Sequence, residues 1–211
     1  MTERGKYVVV EGPDGTGKST QIELLKEHLS EIGVPSIEIH EPDGVPAAAE
    51  LRNIIKNGSL ERDPWTNVML FTAARRLNWL QAMQPALEAG TWVLAARSWI
   101  STEIYQGNGE GVDLTKIAEF TRNNVGEQYL TPDLTLILAL QGLEARKTRI
   151  AQRGELDNPD TFESMPDEFQ ERLEDGYTNF AIRNGIDTID ASQSREQVQA
   201  DIWNKVHALL P

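Results

Sequence analysis

YVVVEGPDGTGKST, residues Tyr7 to Thr20, is the stretch of this sequence that sets its fold class. A short run of β-branched and aromatic residues is followed by Gly12 to Ser19, which matches the pattern G-x-x-x-x-G-K-[ST] at every position. Apolar residues then recur at helical spacing, at Ile22, Leu25, Leu29 and Ile32. A strand before the loop and a helix after it form the context in which this pattern binds phosphate. A chance glycine-rich turn, the alternative, does not require either flank.

The loop carries the groups that a phosphate site needs. Its glycines let backbone N–H groups turn inward, and the following helix presents its positive N-terminal end. The Lys18 ammonium can reach β- and γ-phosphates, and the Ser19 hydroxyl can coordinate Mg²⁺. We therefore assign triphosphate binding to the whole loop, which consists of Gly12, Pro13, Asp14, Gly15, Thr16, Gly17, Lys18, Ser19 and Thr20.

Composition and charge limit the class of protein. The 211 residues suit one α/β domain, and we expect a single domain over residues 1–211. The chain has no cysteine, which excludes disulfides, thiolate zinc sites and a cysteine nucleophile. Its net charge of −13 argues against nucleic acid as a partner. No apolar run approaches the ~18 residues of a membrane span and no signal-peptide core is present, so a cytoplasmic protein without a membrane partner is expected.

Strand-like and helical patterns alternate along the chain, which predicts an α/β fold with a five-stranded parallel sheet flanked by helices. The predicted strands are 7–11, 36–40, 91–95, 134–140 and 186–190. The predicted helices are 18–31, 47–56, 63–88, 99–105, 114–123, 142–152, 167–182 and 194–210. The run QGNGEG, Gln106 to Gly111, is expected to be flexible, and Arg153 to Asp167 is expected to form a mobile loop.

Polar side chains follow the predicted strands at the edge where an open parallel sheet binds its ligands. The residues after the second and third strands are Glu41, Arg52, Arg97, Thr102, Tyr105 and Gln106. An arginine-bearing helix and loop follow the fourth strand. This distribution predicts a site for two nucleotide substrates.

Phe71 and Arg75 lie four residues apart in the predicted long helix, so the ring and the guanidinium share one face. Such a pair suits a nucleobase, because the ring can stack on the base while the guanidinium donates to a carbonyl oxygen. The alternative is a core phenylalanine beside a surface arginine.

Six segments of the chain resemble, in order, the motifs of the thymidylate kinase family. The family motifs are EG-x-[DE]-G-x-GK-[ST], T-R-E-P-G-G, L-R, L-F-A-A-D-R, D-R-[YH] with S-[ST]-x-A-Y-Q-G, and R-G-E-L-D. The matching segments here are Glu11 to Ser19, Ile39 to Gly44, Leu51 to Arg52, Leu70 to Arg75, Ala96 to Ser98 with Ser101 to Gly107, and Arg153 to Asp157. The resemblance extends over nearly all of the chain.

The resemblance implies the P-loop nucleoside monophosphate kinase fold and the transfer of the γ-phosphoryl group of ATP to dTMP. It implies Mg²⁺ as cofactor, with the metal at Ser19, and a short lid over about residues 146–166. The family is usually a homodimer formed partly through the long helix, so a homodimer is expected. The apolar residues of that helix that permit it are Leu70, Leu77, Trp79, Leu80 and Met83.

Roles for individual residues also follow from the resemblance. Phe71 would stack on thymine, while Arg75, Thr102 and Gln106 would read its polar edge. Arg52 and Arg97 would hold the acceptor phosphate. Asp14 would accept from the sugar 3′-hydroxyl, and Tyr105 would exclude ribose. The implied dTMP-binding set is Asp14, Glu41, Arg52, Phe71, Arg75, Arg97, Thr102, Tyr105 and Gln106.

The implied catalytic cations are Lys18, Arg97, Arg149 and Arg153. Gly15 and Thr16 occupy loop positions where one branch of the family has an arginine, so the lid is expected to supply that charge. Arg146, on the same helix as Arg149, is the next candidate for this cation, but the favoured expectation for it is a solvated helix residue.

Four positions depart from the family pattern. Ala96 and Ala139 replace aspartates, His40 replaces an arginine, and Asn158-Pro159 stands where an arginine often follows R-G-E-L-D. The aspartate at position 96 would help to organise the Mg²⁺ shell, and Glu11 is the carboxylate that could substitute through water. These departures keep two alternatives open, a kinase for a 5-modified deoxyuridine monophosphate and a nucleotide-binding module without turnover.

Overall fold

Five strands form one parallel sheet in the computed structural model, which describes residues 3–140, 142–151, 162 and 164–210. The strands are β1 (Tyr7–Glu11), β2 (Ser36–His40), β3 (Trp92–Ala96), β4 (Leu134–Ala139) and β5 (Thr188–Asp190). Their order across the sheet is β2-β3-β1-β4-β5, with every neighbouring pair parallel. The predicted α/β fold with a five-stranded parallel sheet is confirmed.

Helices flank the sheet and lie close to their predicted bounds. They are α1 (Lys18–Glu31), α2 (Pro46–Lys56), α3 (Pro64–Asn78), α4 (Gln84–Glu88), α5 (Trp99–Thr102), α6 (Leu114–Val125), α7 (Glu127–Leu130), α8 (Leu143–Ala151), α9 (Asp167–Asn184) and α10 (Arg195–Val206). Two π-helical segments, Trp79–Met83 and Glu103–Gly109, and a 3₁₀ turn, His207–Leu209, complete the described elements. The sequence did not predict the short helix α7.

The central strand β1 is buried on both faces, as its unbroken apolar run predicts. Val8 and Val10 belong to the core formed with α1 and α10, and Tyr7 and Val9 belong to the core on the opposite face. The loop that follows β1 is therefore held at the centre of the molecule.

The predicted long helix contains a widened turn. Between α3 and α4 lies the π-helical segment Trp79–Met83, after which the Gln84 N–H donates to the Trp79 carbonyl oxygen. Pro85 follows directly, and its ring nitrogen carries no hydrogen to continue the regular α-helical ladder. The N-terminal end agrees with prediction, since Pro64 occupies the first turn.

The prediction of a flexible run at Gln106 to Gly111 is wrong for its first four residues. They belong to the π-helical segment Glu103–Gly109, in which six of the seven residues are buried. A Cβ added at Gly109 would lie 2.5 Å from the Phe169 ring, so this glycine permits α9 to approach closely. Gly109 therefore indicates a densely packed segment and not a flexible one.

Most of the predicted mobile loop and lid falls outside the described residues, because residues 152–161 and 163 are not described. The lid and the single-domain assignment remain predictions. Among the helices that are described, none combines the length and the apolar character that a bilayer crossing requires.

Gly109→Ala is expected to lower the free energy of unfolding by about 1–3 kcal/mol, because the added methyl group overlaps the Phe169 ring. Urea denaturation measures this loss. Gly111→Ala is the matched control, since no atom lies within 4 Å of its added Cβ and only its φ of +82° opposes the change. That variant should lose about 1 kcal/mol. A Gly109→Ala protein as stable as the wild type would show that the run is loosely packed.

Candidate active site

The loop between β1 and α1 is closed by its own side chains. The Lys18 Nζ donates to the carbonyl oxygens of Gly12, at 2.8 Å, and Pro13, at 2.9 Å. The Thr16 hydroxyl donates to the same Pro13 oxygen at 2.9 Å. Gly17 precedes α1 with a φ of +89°, a conformation that favours glycine. The loop therefore places an ammonium group at the positive end of a 14-residue helix.

Two adjoining cavities open beyond the carboxyl ends of the central strands. The larger cavity has a volume of about 300 Å³ and the smaller cavity about 250 Å³. Eight of the nine predicted dTMP-binding residues line the larger cavity, namely Asp14, Glu41, Arg52, Phe71, Arg97, Thr102, Tyr105 and Gln106. The smaller cavity is lined by Asp14, Lys18, Ser19, His40, Glu41, Asp43, Arg52, Ala96 and Arg97. The two cavities share a wall that consists of Asp14, Glu41, Arg52 and Arg97.

Arg97 stands in the shared wall and is the only described non-glycine residue with a positive φ, at 70°. Its guanidinium pairs with Asp14, donates to the Ser101 hydroxyl at 3.1 Å, and lies over the Tyr105 ring at 5.2 Å. A left-handed arginine costs on the order of 1–3 kcal/mol and persists where its surroundings hold it. In this strained conformation, Arg97 lines both cavities.

Asp14 lies between two cations and a hydroxyl. Burial alone would raise the pKa of its carboxyl, but the Arg97 guanidinium and the Lys18 ammonium hold that pKa well below its usual range. The Tyr105 hydroxyl donates to Asp14 Oδ2 at 2.8 Å, and burial raises the pKa of this hydroxyl above its usual value. Asp14 is thus an ionised acceptor at neutral pH, and Tyr105 remains a donor.

Arg75 is buried, so the alternative of a surface arginine beside a core phenylalanine is wrong. Its side chain is 2% exposed and pairs with Glu41 at 3.0 Å, while the Tyr129 hydroxyl donates to the same carboxylate. Burial raises the pKa of the Glu41 carboxyl, although Arg75 and Tyr129 favour the ionised form. Arg75 Nη2 also donates to the Thr102 hydroxyl at 3.1 Å, whereas Nη1 is buried and has no hydrogen-bond partner in the part of the chain that the structure describes.

Arg75 is the one predicted dTMP-binding residue that does not line the larger cavity. It reaches that cavity through two residues that do, Glu41 and Thr102. Phe71, four residues earlier, is half-buried and does line the cavity. The structure therefore separates the two members of the predicted pair, with the ring in the cavity wall and the guanidinium behind it.

Three predicted lid arginines have different outcomes. Arg153 lies outside the described residues. Arg149 is half-buried on α8 and lines neither cavity. The prediction of a solvated Arg146 is wrong, because its side chain is 2% exposed and its Nη2 donates to Gln170 at 2.9 Å. The Arg146 backbone packs against Gly15, which explains why this turn of α8 is buried beneath the loop.

Six residues of the larger cavity were not predicted, namely Pro42, Ile55, Lys56, Ser101, Ile150 and Phe162. Ile55 and Lys56 follow Arg52 by three and four residues on α2, so helical spacing was a usable signal. Phe162 lies in the stretch predicted as a mobile loop, and nothing local distinguishes it. Its ring packs against those of Tyr105 and Phe71, with centroids 5.9 Å and 6.2 Å away.

Two of the residues that depart from the family pattern meet in the smaller cavity. His40 and Ala96 are register partners at the ends of β2 and β3, and both line the cavity. His40 Nδ1 lies 3.4 Å from the Ser19 hydroxyl oxygen. Glu11, the carboxylate considered as a substitute at this place, is fully buried and lines neither cavity.

Comparison with known proteins identifies a family that the chain resembles in sequence and in fold. A sequence model of the family described as thymidylate kinase matches residues 10–202. The thymidylate kinase of Exiguobacterium sibiricum is 34% identical over 209 residues, which cover 98% of this chain and 96% of that protein. The thymidylate kinase of Ectopseudomonas mendocina is 39% identical over 210 residues, with coverages of 98% and 95%.

A solved structure is also similar. The crystal structure of thymidylate kinase from Ehrlichia chaffeensis superposes with a TM-score of 0.76 at 25% identity, covering 97% of this chain and 99% of that one. The family match spans most of the chain and the curated relatives exceed 30% identity over nearly its whole length. The chain therefore belongs to the thymidylate kinase family.

Proposed function

We propose that this protein transfers the γ-phosphoryl group of ATP to dTMP and forms dTDP and ADP, a step of nucleotide biosynthesis. The observation that carries the proposal is the shared wall between the two cavities. One cavity contains the Lys18 ammonium and the other contains an aromatic ring, an amide and hydroxyl groups. Arg97 and Arg52 line both, so two phosphate-bearing ligands would meet at the same cations.

The reaction needs positioning and charge neutralisation. The second pKa of a monophosphate is about 6, so at neutral pH the acceptor phosphate is already an anionic nucleophile and no general base is required. An acceptor oxygen forms a bond to the γ-phosphorus as the bond from the γ-phosphorus to the bridging oxygen of ADP breaks. Lys18 would follow the donor phosphates, while Arg97 and Arg52 would hold the acceptor phosphate in line.

The larger cavity has the groups to select a pyrimidine deoxynucleotide. Phe71 offers a ring for stacking on the base, and Thr102 and Gln106 offer a hydroxyl and an amide to its polar edge. Arg75, placed behind Thr102, would act on the base by orienting the Thr102 hydroxyl. Asp14 would accept from the sugar 3′-hydroxyl, and the Tyr105 ring would occupy the space of a 2′-hydroxyl.

Mg²⁺ bound with ATP would be held by the Ser19 hydroxyl, which is exposed in the smaller cavity. Bound there, the ion neutralises phosphate charge. No group of three His, Asp or Glu residues that could hold a metal exists among the described residues. Ser19 therefore fits a magnesium site in which nucleotide phosphates and water would supply the remaining ligands. Arg149 or Arg153 supplying a further cation remains a prediction.

A homodimer and a cytoplasmic location also belong to the proposal. Met69 and Leu80, on the two helical segments 64–78 and 79–83, are 42% and 46% exposed and are available to a second copy. Trp79 and Met83, predicted for the same face, belong to the core instead.

The proposal is tested by ADP release with ATP and Mg²⁺ across dTMP, dUMP, 5-hydroxymethyl-dUMP, dCMP, dGMP and UMP at equal concentration. We expect dTMP to dominate and Lys18→Ala to lower kcat by about 10²–10³-fold, with the fold retained as measured by circular dichroism. A faster rate with 5-hydroxymethyl-dUMP would favour the alternative acceptor class. If no acceptor gave ADP release while ATP still bound, the protein would be a binding module. A near-wild-type rate in Lys18→Ala would refute the assignment of the loop to phosphate binding.

Tyr105→Ala should lower the preference for dUMP over UMP, expressed as the ratio of kcat/KM values, by about tenfold, because the ring no longer crowds the 2′ position. Tyr105→Phe is the matched variant, since it keeps the ring and removes only the hydroxyl that donates to Asp14. It should retain most of the preference. Equal ratios in the wild type and Tyr105→Ala would mean that another group selects deoxyribose.

A further inference from the structure

The smaller cavity contains one imidazole, and it faces the hydroxyl proposed to hold the metal. His40 Nδ1 lies 3.4 Å from Ser19 Oγ. Two ligands at right angles on an ion with bonds of about 2.1 Å are separated by about 3 Å. A small approach of either side chain would therefore place both atoms on one cation. The neighbouring strand end offers only the Ala96 methyl group, which cannot bind a metal.

The carboxylates of the smaller cavity are already engaged. Among the described residues, each of the three carboxylates that line it contacts a guanidinium, in the pairs Asp14 with Arg97, Glu41 with Arg75, and Asp43, through Oδ2, with Arg52. Magnesium prefers oxygen ligands of this kind. In the described part of the wall, Ser19 Oγ and His40 Nδ1 lie 3.4 Å apart, so a cation brought by the nucleotide could meet this oxygen and this nitrogen without displacing an arginine from a carboxylate.

A carboxylate lies behind the ring, within ion-pair distance of the imidazole but beyond hydrogen-bond distance. Glu38 Oε2 lies 4.0 Å from His40 Nε2 and is buried without a hydrogen-bond partner among the described residues, while Oε1 of the same residue pairs with Lys26 at 3.3 Å. A closer approach of this carboxylate would let it accept from Nε2–H, and in that tautomer the lone pair of Nδ1 is available beside Ser19. A carboxylate behind a histidine is the usual support of a metal-binding imidazole.

We propose that His40 Nδ1 and Ser19 Oγ, together with the phosphates of the bound nucleotide, form a mixed nitrogen and oxygen site for a divalent first-row transition-metal ion such as Co²⁺ or Mn²⁺. Imidazole raises affinity along this series relative to Mg²⁺, which an all-oxygen site serves better. Glu38 is a positioning residue in this site. The inference rests on the proposed function, because the nucleotide supplies the remaining ligands.

Pulsed electron paramagnetic resonance of Mn²⁺ bound with a non-hydrolysable ATP analogue tests direct ligation. The wild-type spectrum should show a ³¹P coupling from the nucleotide and a ¹⁴N coupling from an imidazole. His40→Ala should lose the ¹⁴N coupling and keep the ³¹P coupling. His207→Ala is the matched control, since this exposed histidine lies at the far C-terminal turn and should leave both couplings unchanged.

The two couplings separate the two hypotheses. A wild-type spectrum with ³¹P but no ¹⁴N coupling overturns the histidine ligand and leaves the proposed function intact. Loss of ¹⁴N coupling in His207→Ala rather than in His40→Ala also overturns it. Absence of ³¹P coupling contradicts the placement of the nucleotide itself, and the inference fails with it.

Affinity gives a second readout that does not depend on turnover. Calorimetric titration of Co²⁺ and Mg²⁺ into the complex with the same analogue should give a Co²⁺-to-Mg²⁺ affinity ratio that falls about tenfold in His40→Ala. Glu38→Gln should give a smaller fall in the same direction, and His207→Ala none. An unchanged ratio in His40→Ala, with the analogue still bound, would overturn the proposal.

Discussion

One buried carboxylate holds the site together. Glu11 ends β1, and its two oxygens accept from the N–H and hydroxyl groups of Ser98 and Ser101 and from the Tyr177 hydroxyl. Because β1 leads into the phosphate loop and Ser98 follows Arg97, this contact sets the distance between the loop and the arginine. Each buried donor left unpaired would cost about 1–3 kcal/mol, so the strained Arg97 backbone is stabilised by a set of bonds worth more than its strain.

The strands were predictable because their signal is local. The apolar run of β1 and the glycine pattern after it specify a strand, a loop and a helix within one short segment. The run Gln106 to Gly111 was not predictable in the same way. Gly107 and Gly109 are required by the Leu114 and Phe169 side chains that pack on them, and Phe169 belongs to a helix far along the chain. Local composition does not show whether a glycine occurs because the backbone must be flexible or because a neighbouring side chain leaves no room for a Cβ atom.

In the candidate site, too, local sequence signals predicted some features and missed others. Strand ends and helical spacing predicted which side chains converge, and eight of the nine predicted acceptor residues do line one cavity. These signals did not predict how deeply each charged side chain is buried. Charged side chains are rarely buried, so Arg146 was expected in solvent, yet its partner Gln170 comes from α9 and encloses it. Arg75 is buried for the same reason, since Glu41 and Tyr129 approach it from distant segments.

The shared wall also limits how such a site can diverge. A substitution at Asp14 or Arg97 touches both cavities, so its effects on the two substrates cannot be separated and would combine non-additively with neighbouring changes. His40 and Ala96 line only the smaller cavity. These two departures therefore lie where substitutions can alter the proposed surroundings of the donor phosphates without changing the lining of the larger cavity, proposed for the acceptor.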